Sequence, residues 1–173
     1  MRRPRGYTLI EMLVVIFIVT VLAGLILGGL SAARRSNQIK RGEFQITSIK
    51  ARLNDYESDF RDYPKTEGGS EDEDAIEGGE VLLRGLRRDD KNGPYIKFDE
   101  YRLVDYDEDG DKEIADIWGH PLRYLHHTSY GRESPCRRSF RLWSVGPDGK
   151  SDPFNPQSDD ITSWTKGAEE DDR

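Results

Sequence analysis

The feature that most limits what this chain can fold into is a run of 19 residues, Met12 to Leu30, without one charged side chain. As a helix, ~20 apolar residues cross the ~30 Å of bilayer hydrocarbon, so the run is long enough to span. A secretory signal would have ~7–15 apolar residues followed by a small-residue cleavage site; this run is longer and leads into Arg34-Arg35. Arg2, Arg3 and Arg5 favour a cytoplasmic N-terminus, a bias weakened by Arg34, Arg35, Lys40 and Arg41 on the far side. The rest of the chain is polar. Of 26 Lys and Arg and 33 Asp and Glu, three basic residues and one acidic residue precede Arg34, so segment 34–173 carries about −9. Such a body is not a nucleic-acid binder, because phosphate contacts need clustered Lys and Arg. A single cysteine, Cys136, excludes an intramolecular disulfide framework and a Cys-rich zinc site.

Glu11 abuts the apolar run, where an unpaired charge is costly and calls for a neutralising partner. The residues Arg5-Gly6-Tyr7-Thr8-Leu9-Ile10-Glu11-Met12-Leu13-Val14-Val15 resemble the class III signal of type IV pilins and type II secretion pseudopilins. In that family a basic leader ends in Gly, prepilin peptidase cuts after it, the new N-terminus is methylated, and the fifth mature residue is Glu. The resemblance implies cleavage between Gly6 and Tyr7, N-methylation of Tyr7, and Glu11 as the assembly residue that pairs with a neighbouring subunit's terminal amine. Two departures stand out. The usual first mature Phe is Tyr7, and a Pro common near the end of the first helical stretch is replaced by Gly28-Gly29, which are expected to weaken the helix there. Gly24-x-x-x-Gly28 also fits a weak helix-packing pattern.

Beyond Arg34, Ile46, Ile49, Leu53, Tyr56 and Phe60 draw one apolar stripe along a helix. Tyr63-Pro64 is expected to end it. Leu53-x-x-Tyr56-x-x-Asp59-x-x-x-Tyr63-Pro64-x-Thr66-x-Gly68 is similar to the major pseudopilins of type II secretion, the general secretion pathway protein G family. Residues 67–80 are acidic and Gly-rich and predict a solvated loop, with loose cation binding as the other reading. Val81–Leu86 predicts a short second helix.

Two segments have calcium-like chemistry. Asp105, Asp107, Asp109, Asp111, Glu113 and Asp116 fall at positions 1, 3, 5, 7, 9 and 12 of a loop with Gly110 at position 6, and calcium takes six to eight oxygens. The flanks look strand-like rather than helical, so two readings stand: a free-standing calcium loop, or an acidic turn whose Asp side chains bond local amides. Further on, Asp116-x-Trp118-Gly119-x-Pro121-x-x-Tyr124 and Ser144-x-Gly146-x-Asp148-Gly149 followed by Asp160-Ile161-x-x-Trp164 are similar to the major pseudopilins. There the C-terminal loop folds around calcium; carried over, the resemblance implies Asp148 and Asp160 as ligands, with Ser144 and Ser158 or nearby carbonyls contributing. The other reading is a loop ordered by Trp164 and hydrogen bonds alone. Leu122 to Leu125 and Phe140 to Val145 predict an antiparallel hairpin over the helix stripe.

No phosphate loop, H-E-x-x-H or G-x-S-x-G appears, so no enzyme is expected. His126 and His127 are adjacent and would point to opposite sides of a strand. Cys136, beside Arg137 and Arg138, reads as an inert thiol rather than a reactive one. The expected architecture is α+β: a long N-terminal helix, membranous then amphipathic, packed on a small antiparallel sheet with a calcium-ordered C-terminal loop. Residues 1–6 would be a leader, 7–33 a transmembrane and filament-core helix, and 34–173 a periplasmic globular domain. The resemblance implies a pseudopilus subunit of the inner membrane. Its partners would be its own copies, minor pseudopilins, prepilin peptidase and the inner-membrane assembly platform. The alternative is a single-pass, membrane-anchored, calcium-dependent binding module or hydrolase that never polymerises.

Overall fold

A computed structural model describes residues 7–67, 72–97, 99–130 and 139–164, with the side chains of 25–32 left out. Cys136 and its two arginines lie outside the described residues. The order is α1 (Leu9–Phe60), α2 (Asp72–Leu86), β1 (Leu103–Val104), β2 (Glu113–Ile114), β3 (Arg123–His126), β4 (Phe140–Ser144) and β5 (Ile161–Thr162). The chain divides into two compact units, residues 1–38 and 39–173.

In the first unit the large apolar side chains from Leu9 to Leu22 are all 43–84% exposed. A helix apolar on every side is one that needs an apolar surround. Among the described residues no helix is long and apolar enough to cross a membrane; the rest of the charge-free run, 25–32, has no described side chains. The backbone of α1 stays helical through Gly28-Gly29, where the glycines were expected to weaken it.

The second unit forms as the stripe requires. Ile46, Ile49, Leu53 and Tyr56 are buried, and Phe60 packs against the same core. They meet Leu82, Leu83 and Leu86 of α2 and Ile114, Leu122, Tyr124, Phe140, Leu142 and Ile161 around the strands. α1 stops at Phe60, before the proline, because Arg61 turns into the left-handed region (φ 64°) and donates its amide to Glu57 O at 2.7 Å. The Tyr-Pro-x-Thr stretch then joins the body to β3. The Tyr63 ring packs edge-on against Phe140, Pro64 O accepts the Tyr124 hydroxyl at 2.8 Å, and Thr66 Oγ1 accepts the His126 amide at 3.0 Å.

The sheets are antiparallel. Leu103 pairs with Ile114 in β1–β2; Tyr124 pairs with Leu142 in the expected β3–β4 hairpin, and Ser144 with Ile161 in β4–β5. Two expectations are corrected. Residues 72–80 are not a loop but the first part of α2, whose glycines lie against backbone: a Cβ on Gly78 would sit 1.9 Å from Tyr124 O, and one on Gly79 2.6 Å from Leu122 O. His126 and His127 do not point apart. The strand ends at His126 and a single 3₁₀ turn, His127–Ser129, follows, so the rings stack 4.1 Å apart and both reach Asp62 Oδ1, at 2.9 and 3.9 Å.

That cluster is a hydrogen-bond network. Buried His126 accepts the Thr128 amide at Nδ1, which fixes the proton on Nε2 and directs it at Asp62. Burial holds the His126 pKa below its usual value, more than the Asp62 hydrogen bond raises it. Burial would raise Asp62, but hydrogen bonds from His126, Lys65 and the Tyr63 amide outweigh it and bring the carboxyl to about 2.

Two outcomes follow for stability. Alanine is the better helix former by ~1 kcal/mol, yet Gly78→Ala should lower stability by about 1–3 kcal/mol, because overpacking against Tyr124 O outweighs propensity; thermal melting would show a Tm several degrees lower. Because His126 has a folded pKa below its unfolded one, the unfolded state binds more protons as pH falls below about 6.5, and stability declines. The Asp62 contribution is present above its unfolded pKa and is lost as pH falls toward about 2. Denaturant titrations from pH 7.5 to 5 should show a decline that is flatter in His126→Gln.

Candidate functional site

The N-terminus of α1 is closed by a capping box. Thr8 donates its amide and its hydroxyl to Glu11 Oε2, both at 3.0 Å, and accepts the Glu11 amide on Oγ1 at 3.3 Å. Thr8-x-x-Glu11 ahead of an apolar run is the sequence pattern of this cap, a role for Glu11 beyond the assembly pairing that the resemblance implies. Tyr7 is exposed just ahead of the cap; Gly6 lies outside the described residues.

The acidic loop joins β1 to β2, so its flanks are strands and no EF-hand is formed. Gly110 takes a φ of 102°, the turn its position requires. Asp107 and Asp109 each bond an amide two residues on, at 3.4 and 2.8 Å. Asp116 does not belong to this set. It is buried; Oδ1 accepts the amides of Trp118, Gly119 and His120 at 2.8–2.9 Å, and Oδ2 accepts the Ser144 hydroxyl at 2.5 Å. It is the cap of the Trp-Gly-x-Pro turn, with its oxygens already engaged.

A carboxylate from outside the loop pattern, Glu80 of α2, joins the set in place of Asp116. It faces Glu113 in β2, which is fully buried with neither carboxylate oxygen in a well-formed hydrogen bond, only the amides of Glu113 and Tyr106 lying near enough to favour its charge. Ligand oxygens of Glu80, Asp107 and Glu113 lie within 4.8 Å of one another, as do those of Glu80, Asp109 and Asp111, and of Asp105, Asp107 and Asp109. Burial pushes the Glu113 carboxyl up to about 7 against a partial offset from the Glu113 and Tyr106 amides, and the Asp107 and Glu80 charges add to the rise. Glu80 is raised too, by burial first and then by Asp109, Asp111 and Asp107, against a partial offset from Arg84. Only the fold brings Glu80 here, 25 or more residues from the loop in sequence.

In the C-terminal loop, Gly146 and Gly149 take left-handed turns (φ 68° and 71°), the first beside Asp159 O and the second against the His120 ring. Asp160 is buried and its Oδ2 accepts the Asp152 amide at 2.7 Å; exposed Asp148 accepts the Lys150 amide at 2.9 Å. Ser144, expected to contribute to the ligand set itself or through nearby carbonyls, donates its hydroxyl to Asp116 and accepts the Gly146 amide on it. Ser158 donates its amide to Asn155 O at 3.1 Å. Trp164 packs near Trp143 and Phe154.

The family model for the prokaryotic N-terminal methylation motif matches residues 1–27. The chain is 28% identical over 167 residues to the type II secretion system core protein G of Klebsiella pneumoniae, covering 96% of this chain and 99% of that one. It is 28% identical to the Pseudomonas aeruginosa protein of that name, over 94% and 96% of the two chains, and 29% identical to that of Escherichia coli K12, over 94% and 92%. The motif at one end and the likeness along nearly the whole length bear out the resemblance: the chain carries the N-terminal methylation motif and is similar throughout to the core protein G of type II secretion.

Proposed function

We propose that the chain is a structural subunit of a pseudopilus, the filament that drives proteins through the outer membrane in type II secretion. The observation that carries this reading is the methylation motif placed directly before a capped, all-round apolar helix. Processing between Gly6 and Tyr7 would leave the Tyr7 amine just ahead of α1, four residues before Glu11, the cap's second member. Before assembly the apolar end would lie in the inner membrane with the body in the periplasm; afterwards it would pack against its own copies, where Glu11 meets a neighbour's terminal amine. Prepilin peptidase, minor pseudopilins and the inner-membrane assembly platform are the partners this route requires.

Calcium in the C-terminal loop belongs to the same proposal. The donors offered there are hard oxygens, as calcium prefers. Asp148 and Asp160 would hold the ion with backbone carbonyls, and the ion would order a segment rich in Gly, Pro and Asp that buries little apolar surface.

The tests separate these parts. Protein recovered from its native membrane should begin at a methylated Tyr7; an intact Met1 would point to an anchored module that never polymerises. Glu11→Gln keeps a capping-box side chain but removes the charge, so it should abolish filament formation while leaving the helix content of the chain unchanged in circular dichroism. Asp160→Asn should reduce the rise in Tm that millimolar calcium gives over chelator, and an unmodified chain that melts at one temperature in both would end the calcium reading.

A further inference from the structure

Four carboxylate oxygens are buried without a hydrogen-bond partner where α2 faces the β1–β2 loop: Glu80 Oε1, Asp105 Oδ1 and both oxygens of Glu113. Glu113 is the sharpest case. It is 0% exposed and has no ion pair among the described residues. Arg84 reaches Asp111 at 3.0 Å and Glu80 at 4.0 Å while staying largely exposed. A buried carboxylate without a partner is costly, and a group of them facing one another more so.

We infer that Glu80, Asp107 and Glu113 bind a divalent cation of the calcium class, with Asp109 and Asp111 on the same loop adding oxygens to its shell. The donors are all oxygen, drawn from a helix, a strand and a flexible turn. That set suits the six to eight ligands and loose geometry of calcium better than the strict octahedron of magnesium or the nitrogen and sulfur preferences of transition metals. Bound there, the ion would fasten the β1–β2 loop to α2. The site is distinct from the C-terminal loop and does not depend on the filament reading.

Calorimetric titration of calcium chloride into the full-length chain, chelator-treated and held in detergent micelles, tests it. Compared are the unmodified chain, Glu113→Gln, Glu80→Gln, Asp107→Asn and Asp160→Asn. Glu113→Gln, Glu80→Gln and Asp107→Asn should each lose one calcium equivalent, or weaken one site at least tenfold, while Asp160→Asn keeps that site. Asp107 is exposed, so its variant reads the site without disturbing the core. Unchanged stoichiometry and affinity in both Glu80→Gln and Asp107→Asn would overturn the inference, as would loss of all calcium binding in Asp160→Asn alone.

Discussion

The body of this protein depends on one buried carboxylate. Asp116 takes three successive amides of the Trp118–His120 turn on one oxygen and the Ser144 hydroxyl on the other. The first set shapes the reversal between β2 and β3; the second ties that reversal to the end of β4. Charge-assisted hydrogen bonds of this number can offset the loss of hydration that burying a carboxylate entails. With the Asp116 side chain removed, the Trp118 and His120 amides and the Ser144 hydroxyl would lose this acceptor, while the Gly119 amide would keep the Asp116 carbonyl at 3.2 Å. The Asp-x-Trp-Gly-x-Pro pattern is thus a statement about one side chain's acceptor capacity.

How much of this could be read from sequence depended on whether the governing contact was local. The stripe from Ile46 to Phe60 and the Tyr124–Leu142 hairpin were legible, because periodicity reports which face is buried. Residues 72–80 were not, since acidic side chains and two glycines are the composition of a loop; they are helical because the glycines permit contact with the carbonyls of Leu122 and Tyr124. Asp116 fitted a calcium spacing by number alone, and its actual partners, apart from the adjacent turn, lie 28 residues away. His126 and His127 were assigned to opposite faces by a strand period that ends between them. Glu80 was legible only as one carboxylate of the acidic 67–80 segment, as nothing in a linear spacing connects it to Asp107.

At the other end, the capping box changes what Glu11 means. The residue is not a bare charge held ready at the edge of an apolar helix; it already serves the first turn of α1 through Thr8. A carboxylate has acceptor sites to spare beyond the Thr8 donors, so one side chain can start a helix and still receive an ammonium group. The same economy is absent from Glu113, whose oxygens make no well-formed hydrogen bond.

The glycines of α2 carry a last consequence, for the order in which the body can form. A segment with four carboxylates ahead of Gly78-Gly79 is a poor helix on its own. What favours the helical state is the sheet surface that the glycines fit, so α2 and β3 are conditional on one another. Neither is a preformed block that docks, and the second unit of the chain should acquire its helix and its hairpin in a single cooperative event rather than by stages.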